Sequence, residues 1–259
     1  MGNTQIKARP RYNTWIRKKK IITFWILTLI CLILSILAVY SIYFIVLFIP
    51  TFIFGYIAVI ITLTNYQFSE KGGNYQNFIH EKFIERLKGE KKIIDVGCGN
   101  GNLIIKAAKQ NKMSDFVGVD YWGSDWEYSK KQCMKNAELE GVKNIVFKKG
   151  TASNLEFNDS EFNAAMSCLT FHEVKDTKDK TKCVTEIIRI LKNNGKFILF
   201  DLFDNKKFYP DTKLAKMKVE ENGGIIEESK LLSEYTKLPF PLNTKKVLKH
   251  GRFIIGHKK

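Results

Sequence analysis

The sequence predicts an α/β protein, a mostly parallel sheet finished by an antiparallel strand near its C-terminal end and preceded by two membrane-spanning helices. Three observations carry that expectation. An uncharged run extends from Ile21 through Ser69, while both flanks are rich in Lys, Arg, Asp and Glu. Beyond residue 74, short strand-like runs alternate with helical stretches, as in parallel sheets whose strands are joined by helices. The first of those runs ends in three glycines at alternate positions, Gly97, Gly99 and Gly101, where a backbone can take positive φ or admit a ligand closely.

At ~1.5 Å per helical residue the uncharged run would reach roughly 70 Å, more than twice the ~30 Å hydrocarbon core of a bilayer. Two spans are therefore expected, about Ile21 to Tyr40 and about Tyr43 to Thr64, with the reversal near Tyr40-Ser41 or nearer Pro50. The run is too long and uniform for a buried core hairpin, and it lacks the short apolar core and small-residue cleavage site of a secretory signal. A basic arm, residues 1–20, precedes it with Lys7, Arg9, Arg11, Arg17, Lys18, Lys19 and Lys20 and no acid. Positive flanks stay in the cytoplasm and touch anionic headgroups. Two spans return the chain to the same side, so the expected location is the cell membrane, with the N-terminus and everything from about Asn65 cytosolic.

Residues 65–74 read as a linker around Lys71-Gly72-Gly73. One soluble domain, 75–259, should follow. It opens with an amphipathic helix marked by Phe78, Ile79, Phe83, Ile84 and Leu87. Strands are expected at Lys92–Val96, Phe116–Val119, Ile145–Lys148, Asn163–Ser167 and Lys196–Asp201, and helices at Leu103–Gln110, Trp126–Glu140 and Lys180–Leu191. Ser124 and Glu127 form an S-x-x-E pattern that places the start of the second of these helices. A helix near Thr212–Glu221 and two strands, Ile225–Ser233 and Arg252–His257, would complete the sheet as an antiparallel pair. The five cysteines are scattered and carry no C-x-x-C pair, and His80, His250 and His257 form no spaced set, so neither disulfides nor a metal are expected. The net charge of +16 invites a nucleic-acid reading, but seven of those charges sit in the arm and the other lysines are dispersed. A nucleic-acid partner is accordingly disfavoured.

The chemistry concentrates at the carboxyl ends of the strands, where ligands bind in such sheets. In Asp95-Val96-Gly97-Cys98-Gly99-Asn100-Gly101-Asn102 a strand runs through the glycine turn into a helix whose first N–H groups can receive a carboxylate. The G-x-G-x-G spacing departs from the G-x-G-x-x-G dinucleotide pattern, which lowers the reading as an NAD(P)-dependent oxidoreductase. Asp120, about 20 residues further on, can accept both hydroxyls of a ribose, or cap the turn that follows. Tyr121 and Trp122 offer faces for an adenine.

These segments, with Gly118-Val119-Asp120, Gly150-Thr151-Ala152-Ser153-Asn154-Leu155 and Ile190-Leu191-Lys192-Asn193-Asn194-Gly195-Lys196, resemble the class I (Rossmann-like) S-adenosylmethionine-dependent methyltransferase superfamily over roughly residues 74–259. The resemblance implies a seven-stranded sheet and S-adenosyl-L-methionine as cofactor. It implies cofactor contacts at Asp95, for the amino group, at Gly97, Cys98, Gly99 and Gly101, at Asp120 and Tyr121, at Thr151, Ala152 and Ser153 beside the adenine, and at Ser167. Many relatives carry Asp at the Thr151 position, so here a hydroxyl or the Ala152 backbone would have to serve.

The fourth strand ends in Ser167-Cys168-Leu169-Thr170-Phe171-His172-Glu173-Val174. It lacks both the Asp/Asn-Pro-Pro-aromatic motif and the Pro-Cys nucleophile of base-modifying relatives, and so resembles the branch acting on small molecules, quinones and lipids. The expected acceptor is a small or lipid-like molecule reached from the membrane through the hairpin and basic arm. Methyl transfer is an in-line displacement in which the protein aligns the partners and removes at most one proton. His172 is the candidate base and Asp201 the candidate for orienting the acceptor. A noncatalytic membrane adaptor that binds the cofactor is the alternative from another class.

Overall fold

The computed structural model describes residues 9–41, 43–124 and 126–259. The first eight residues of the expected basic arm, Lys7 among them, lie outside those described. The chain divides into two compact units, one of Met1–Tyr12, His80–Leu238 and Asn243–Lys259, the other of Asn13–Ile79 and Pro239–Leu242.

The second unit is dominated by a helical hairpin, α1 (Lys18–Leu37) and α2 (Tyr43–Phe68). With 20 and 26 residues, the helices are about 30 and 39 Å long. They run antiparallel. Trp25 Nε1 donates to Thr62 Oγ1 at 3.1 Å, and Ser35 and Thr51 share a hydroxyl contact of 3.4 Å nearer the reversal. Thr28, Ser35, Thr51, Thr62 and Thr64 each also bond a carbonyl one turn back, which satisfies those hydroxyls within the helix. Trp25, Leu29, Ile33, Phe52 and Tyr56 all face outward. A helix in the core of a soluble protein would hide such side chains. Both helices are long and apolar enough to cross a membrane, and little of either is buried. Helix α1 breaks after Leu37, and residues 38–41 hold the expected Tyr40-Ser41 site. The alternative reversal at Pro50 is overturned, because Pro50 lies inside α2. The expected linker is also shortened: α2 runs on to Phe68 before turns around Gly72 and Gly73 stop it.

The other unit is a seven-stranded sheet in the order β3-β2-β1-β4-β5-β7-β6, formed by β1 (Lys92–Val96), β2 (Asp115–Asp120), β3 (Ile145–Lys149), β4 (Phe162–Cys168), β5 (Leu191–Asp201), β6 (Gly224–Leu231) and β7 (Arg252–Lys258). The first five pair in parallel, while β7 pairs antiparallel with both β5 and β6. The short α3 (Tyr75–Ile84) leads into it. Connecting helices are α4 (Asn102–Gln110), α5 (Lys130–Leu139), α6 (Thr181–Ile190) and α7 (Leu214–Glu221). Helix α4 packs beside β2, α5 beside β3 and α6 beside β5 and α7.

The central strands are buried on both faces, which is why they read as unbroken apolar runs. Ile93, Ile94, Ala164, Ala165, Met166, Phe197, Ile198 and Leu199 are all fully enclosed. Helix α6 supplies Val184, Ile187 and Ile188 to the same core as Val96, Phe197 and Ile254. In this unit two boundaries depart from expectation by more than two residues, and others by one or two. Strand β5 begins at Leu191 rather than Lys196, because Leu191 pairs with Phe162 ahead of a register break. Helix α5 begins at Lys130 rather than Trp126. Its N-cap is Ser129, whose hydroxyl accepts the Gln132 N–H at 3.1 Å, so the Ser124 and Glu127 pattern does not set the start. The chain first doubles back over the glycine turn and has helical room only after Ser129.

Candidate functional site

Strands β1, β2, β4 and β5 deliver their carboxyl ends to one edge of the sheet, and the expected site residues gather there. Gly97, Gly99 and Gly101 all take positive φ, at 85°, 57° and 82°. Gly97 shows why the residue type is required. A Cβ there would lie 1.9 Å from Thr170 Oγ1, on the loop after β4. The glycine turn and that loop are thus in close contact. Gly97 and Cys98 N–H both donate to Val119 O, at 2.7 and 3.0 Å, which pins the turn to the end of β2.

Asp95 is buried near the end of β1, and its Oδ2 has no hydrogen-bond partner among the described residues. Burial first, then the neighbouring Asp120 charge, pushes its carboxyl well above the usual range. A buried acceptor with nothing to accept is costly unless a donor or cation completes it. Asp120 is better satisfied: Oδ2 accepts the Gly99 N–H at 2.9 Å and Oδ1 the Trp122 N–H at 2.8 Å. Burial raises its pKa, while backbone donors from Trp122, Gly99 and Tyr121 pull the other way. Asp120 therefore does cap its turn. A carboxylate has about four lone-pair directions, so capacity remains for a diol.

Trp122 and Tyr121 separate. The Trp122 indole N–H donates to Gly99 O at 2.8 Å and closes over the glycine turn. Tyr121 is exposed, with Lys149 Nζ 5.4 Å from its ring centre. The Cys98 side chain turns inward, and burial pushes its thiol up, which leaves its backbone to line the turn. Ser167 donates to Val96 O at 2.8 Å between β4 and β1.

Thr151 and Ser153 follow β3. Their hydroxyls lie 3.1 Å apart, and Ser153 Oγ donates to Asp176 Oδ2 at 2.8 Å, while Ala152 is buried beside them. Burial alone would raise the Asp176 carboxyl, but the Thr151 and Ser153 hydroxyls hold it below its ordinary value. Sequence reasoning did not find Asp176. It reaches the corner from the loop after β4, a tertiary contact without a local signal.

His172 and Asp201 meet at the ends of β4 and β5. The Asp201 carboxylate contacts His172 Nδ1 and accepts the His172 backbone N–H at 3.1 Å and the Leu202 N–H at 2.6 Å. Burial alone would lower the imidazole pKa. Asp201 outweighs it through charge and hydrogen bond, so the net shift is upward. Asp201 is enclosed at 1% exposure. It reaches the imidazole rather than open space, so the expectation that it orients an acceptor gives way to one in which it orients His172. A carboxylate can only accept, so Nδ1 carries the proton and Nε2 is the free base in the neutral ring. The half-buried Phe208 ring stands 5.1 Å from the imidazole.

The family described as "Methyltransferase domain" matches residues 87–251. The chain belongs to this methyltransferase family. S-adenosylmethionine is its cofactor, and the oxidoreductase reading is set aside. Among curated relatives, an uncharacterised methyltransferase, YcgJ, of Bacillus subtilis is 30% identical over 114 residues, 44% of this chain and 42% of that protein. A ubiquinone/menaquinone biosynthesis C-methyltransferase of Citrifermentans bemidjiense is 26% identical over 116 residues, 44% and 47% of the two chains. The methyltransferase thus spans less than half the length of these relatives. Among solved structures, the Streptomyces coelicolor geranyl diphosphate C-methyltransferase superposes with a TM-score of 0.56 at 13% identity, covering 71% of this chain and 79% of the other. The [4+2]-cyclase SpnF gives the same TM-score, 0.56, at 16% identity over 70% and 80%. Neighbours this distant share the fold, and one fold hosts several chemistries.

Proposed function

We propose that the methyltransferase carries a methyl group to a small or lipid-like acceptor at the cytosolic face of a membrane, with His172 as the base that takes the acceptor's proton. The observation that carries this reading is the His172–Asp201 pair. A buried carboxylate fixes Nδ1 and so leaves Nε2, 3.7 Å from Glu173 Oε1, as the acceptor of the neutral ring, the arrangement by which an oriented imidazole serves in general-base catalysis. Phe208 beside the ring favours an apolar or aromatic acceptor, as do the names of the quinone-modifying relatives.

The residues present fit the cofactor. The unpartnered Asp95 Oδ2 suits an ammonium, whose charge would relieve the cost of burying that carboxylate. Asp120 suits the ribose hydroxyls, and the glycine turn accommodates the amino-acid tail. Thr151, Ala152 and Ser153 form the adenine wall, with Tyr121 at its rim and Ser167 bracing β1 from below. When bound, the cofactor supplies an electrophilic methyl group. This chain's own part is to align the acceptor, exclude water with Trp122 and Phe208, and hold the released proton on Nε2.

Two outward-facing apolar helices support membrane insertion, and the basic residues Arg17 to Lys20 support a cytosolic N-terminus. Labelling of a Tyr40→Cys variant by an impermeant thiol reagent on intact cells tests the topology: modification from outside agrees, and protection contradicts it. For the reaction, the full chain in lipid nanodiscs is incubated with methyl-labelled cofactor and membrane or soluble cell extracts. Label should enter an extractable small molecule or lipid and fall by about 10²- to 10⁴-fold in His172→Ala. Cofactor binding without transfer to either extract would favour the adaptor, and no binding at all would sink the assignment.

A further inference from the structure

The basic arm does more than precede the first span. Arg11 lies along α5, held at both backbone atoms by one side chain. Its N–H donates to Asn136 Oδ1 at 2.9 Å, and its carbonyl accepts from Asn136 Nδ2 at 2.9 Å. The second Nδ2 hydrogen goes to Asn100 O at 3.0 Å, inside the glycine turn, and Gln132 Nε2 completes Oδ1 at 2.8 Å. A carboxamide has two donor hydrogens and two acceptor lone pairs, so all four positions of this fully buried side chain are used. One turn earlier on α5, Cys133 Sγ contacts Gly99 O at 3.0 Å. The carbonyls of Gly99 and Asn100 are thereby both tied to the helix face that carries the arm.

We propose that residues Arg9–Tyr12 are a positioning strap for the cofactor loop, acting through Asn136, so that tight cofactor binding requires the arm that leads into α1. The proposal rests on the reading that the glycine turn holds the cofactor. Without Arg11, Asn136 has two hydrogen-bonding positions to fill from water, and its amide is free to turn away from Asn100. The loop then samples other geometries, and binding must restore the right one. The side chain of Arg11 is exposed and takes no part, since the contacts are made by its backbone.

Arg11→Pro removes the N–H, whereas Arg11→Ala keeps both backbone atoms. The full chain in nanodiscs is titrated with S-adenosylhomocysteine by calorimetry, and amide hydrogen exchange is followed without ligand. Arg11→Pro should weaken binding on the order of ten-fold, with Arg11→Ala within about two-fold of the parent. Exchange at residues 97–101 should quicken by a similar factor in Arg11→Pro while β5 amides stay unchanged. Deleting residues 2–12, which leaves no backbone at the position of Arg11, should reproduce the effect without the proline ring. The strap is refuted if Arg11→Pro and the deletion both keep parental affinity and loop exchange. It is equally refuted if exchange rises alike throughout the sheet, which would mark a general loss of stability. Failure of the unaltered chain to bind the ligand would instead strike the cofactor reading, because the exchange comparison still reports on the strap.

Discussion

Replacing Asp201 by Asn removes a charge but keeps the shape of the side chain. In the parent, His172 titrates above its ordinary 6.5 because the Asp201 charge and hydrogen bond outweigh burial. A charge-assisted hydrogen bond is worth about 1.5–3 kcal/mol and a neutral one about 0.5–1.5, so the substitution forfeits roughly 1–1.5 kcal/mol from the protonated form. With that counterweight to burial reduced and only the Glu173 charge left to favour protonation, the His172 midpoint should fall below that of the parent. The stability profile follows the same sign. A raised folded-state pKa contributes stability that is complete below 6.5 and is lost as pH rises through the folded value. Asp201→Asn should diminish that gain on acidification. One amide oxygen must also replace two carboxylate oxygens that serve Nδ1 and two backbone N–H groups, and one donor left unmet costs a further ~1–3 kcal/mol. The assay is a histidine-selective NMR titration of the full chain, which has four histidines, with His172→Asn identifying the resonance. A His172 midpoint in Asp201→Asn equal to or above that of the parent would refute the reasoning.

Asp95→Asn should stabilise the ligand-free chain yet weaken the cofactor. The folded-state pKa of Asp95 is raised, so stability declines as pH climbs above 3.8; replacing the carboxyl by the amide should lift Tm at pH 7.5, while calorimetry shows roughly ten-fold weaker S-adenosylhomocysteine binding. Gly97→Ala combines a φ of 85° with a methyl 1.9 Å from Thr170 Oγ1, costing about 1–3 kcal/mol in backbone strain alone; Thr170→Gly in the same chain should recover part of the lost cofactor affinity. Ser129→Ala should destabilise the protein by about 1 kcal/mol through the lost helix cap, with Ser124→Ala within about 0.5 kcal/mol of the parent, as read by denaturant titration of tryptophan fluorescence.

Much of the sheet was legible because its strands are buried on both faces and each is cut short by glycine or polar residues. The run Lys92–Val96 matches β1 to the residue, and the glycine turn marked its own place. Boundaries failed where a distant contact decided them. Ser124 and Ser129 both offer capping hydroxyls; the helix uses Ser129, and Trp122, just ahead of Ser124, is bonded to Gly99 O across the glycine turn. The Pro50 alternative arose because proline usually interrupts helices, whereas α2 carries it through. Asp120 stood out from its place at the end of a strand, and Asp95 through the family resemblance of the segment around it. Asp176 and Asn136 were not, since each gains its role from a segment far away in sequence, the Thr151–Ser153 corner and Arg11. The Asp201 role shifted for the same reason, because the end of a strand looks open until the neighbouring loop folds over it.

The placement of β7 between β5 and β6 has a bearing on biosynthesis. As the chain leaves the ribosome, Gly224–Leu231 emerges with α7 beside it but no strand to pair with, because the strand that will separate it from β5 is made later. Until Arg252–Lys258 arrives, β5 keeps an open apolar edge of the kind that invites pairing with other chains. The apolar hairpin has been translated long before, so a nascent chain already held at a bilayer would wait for its sheet to close apart from most of the soluble polypeptides it could mispair with.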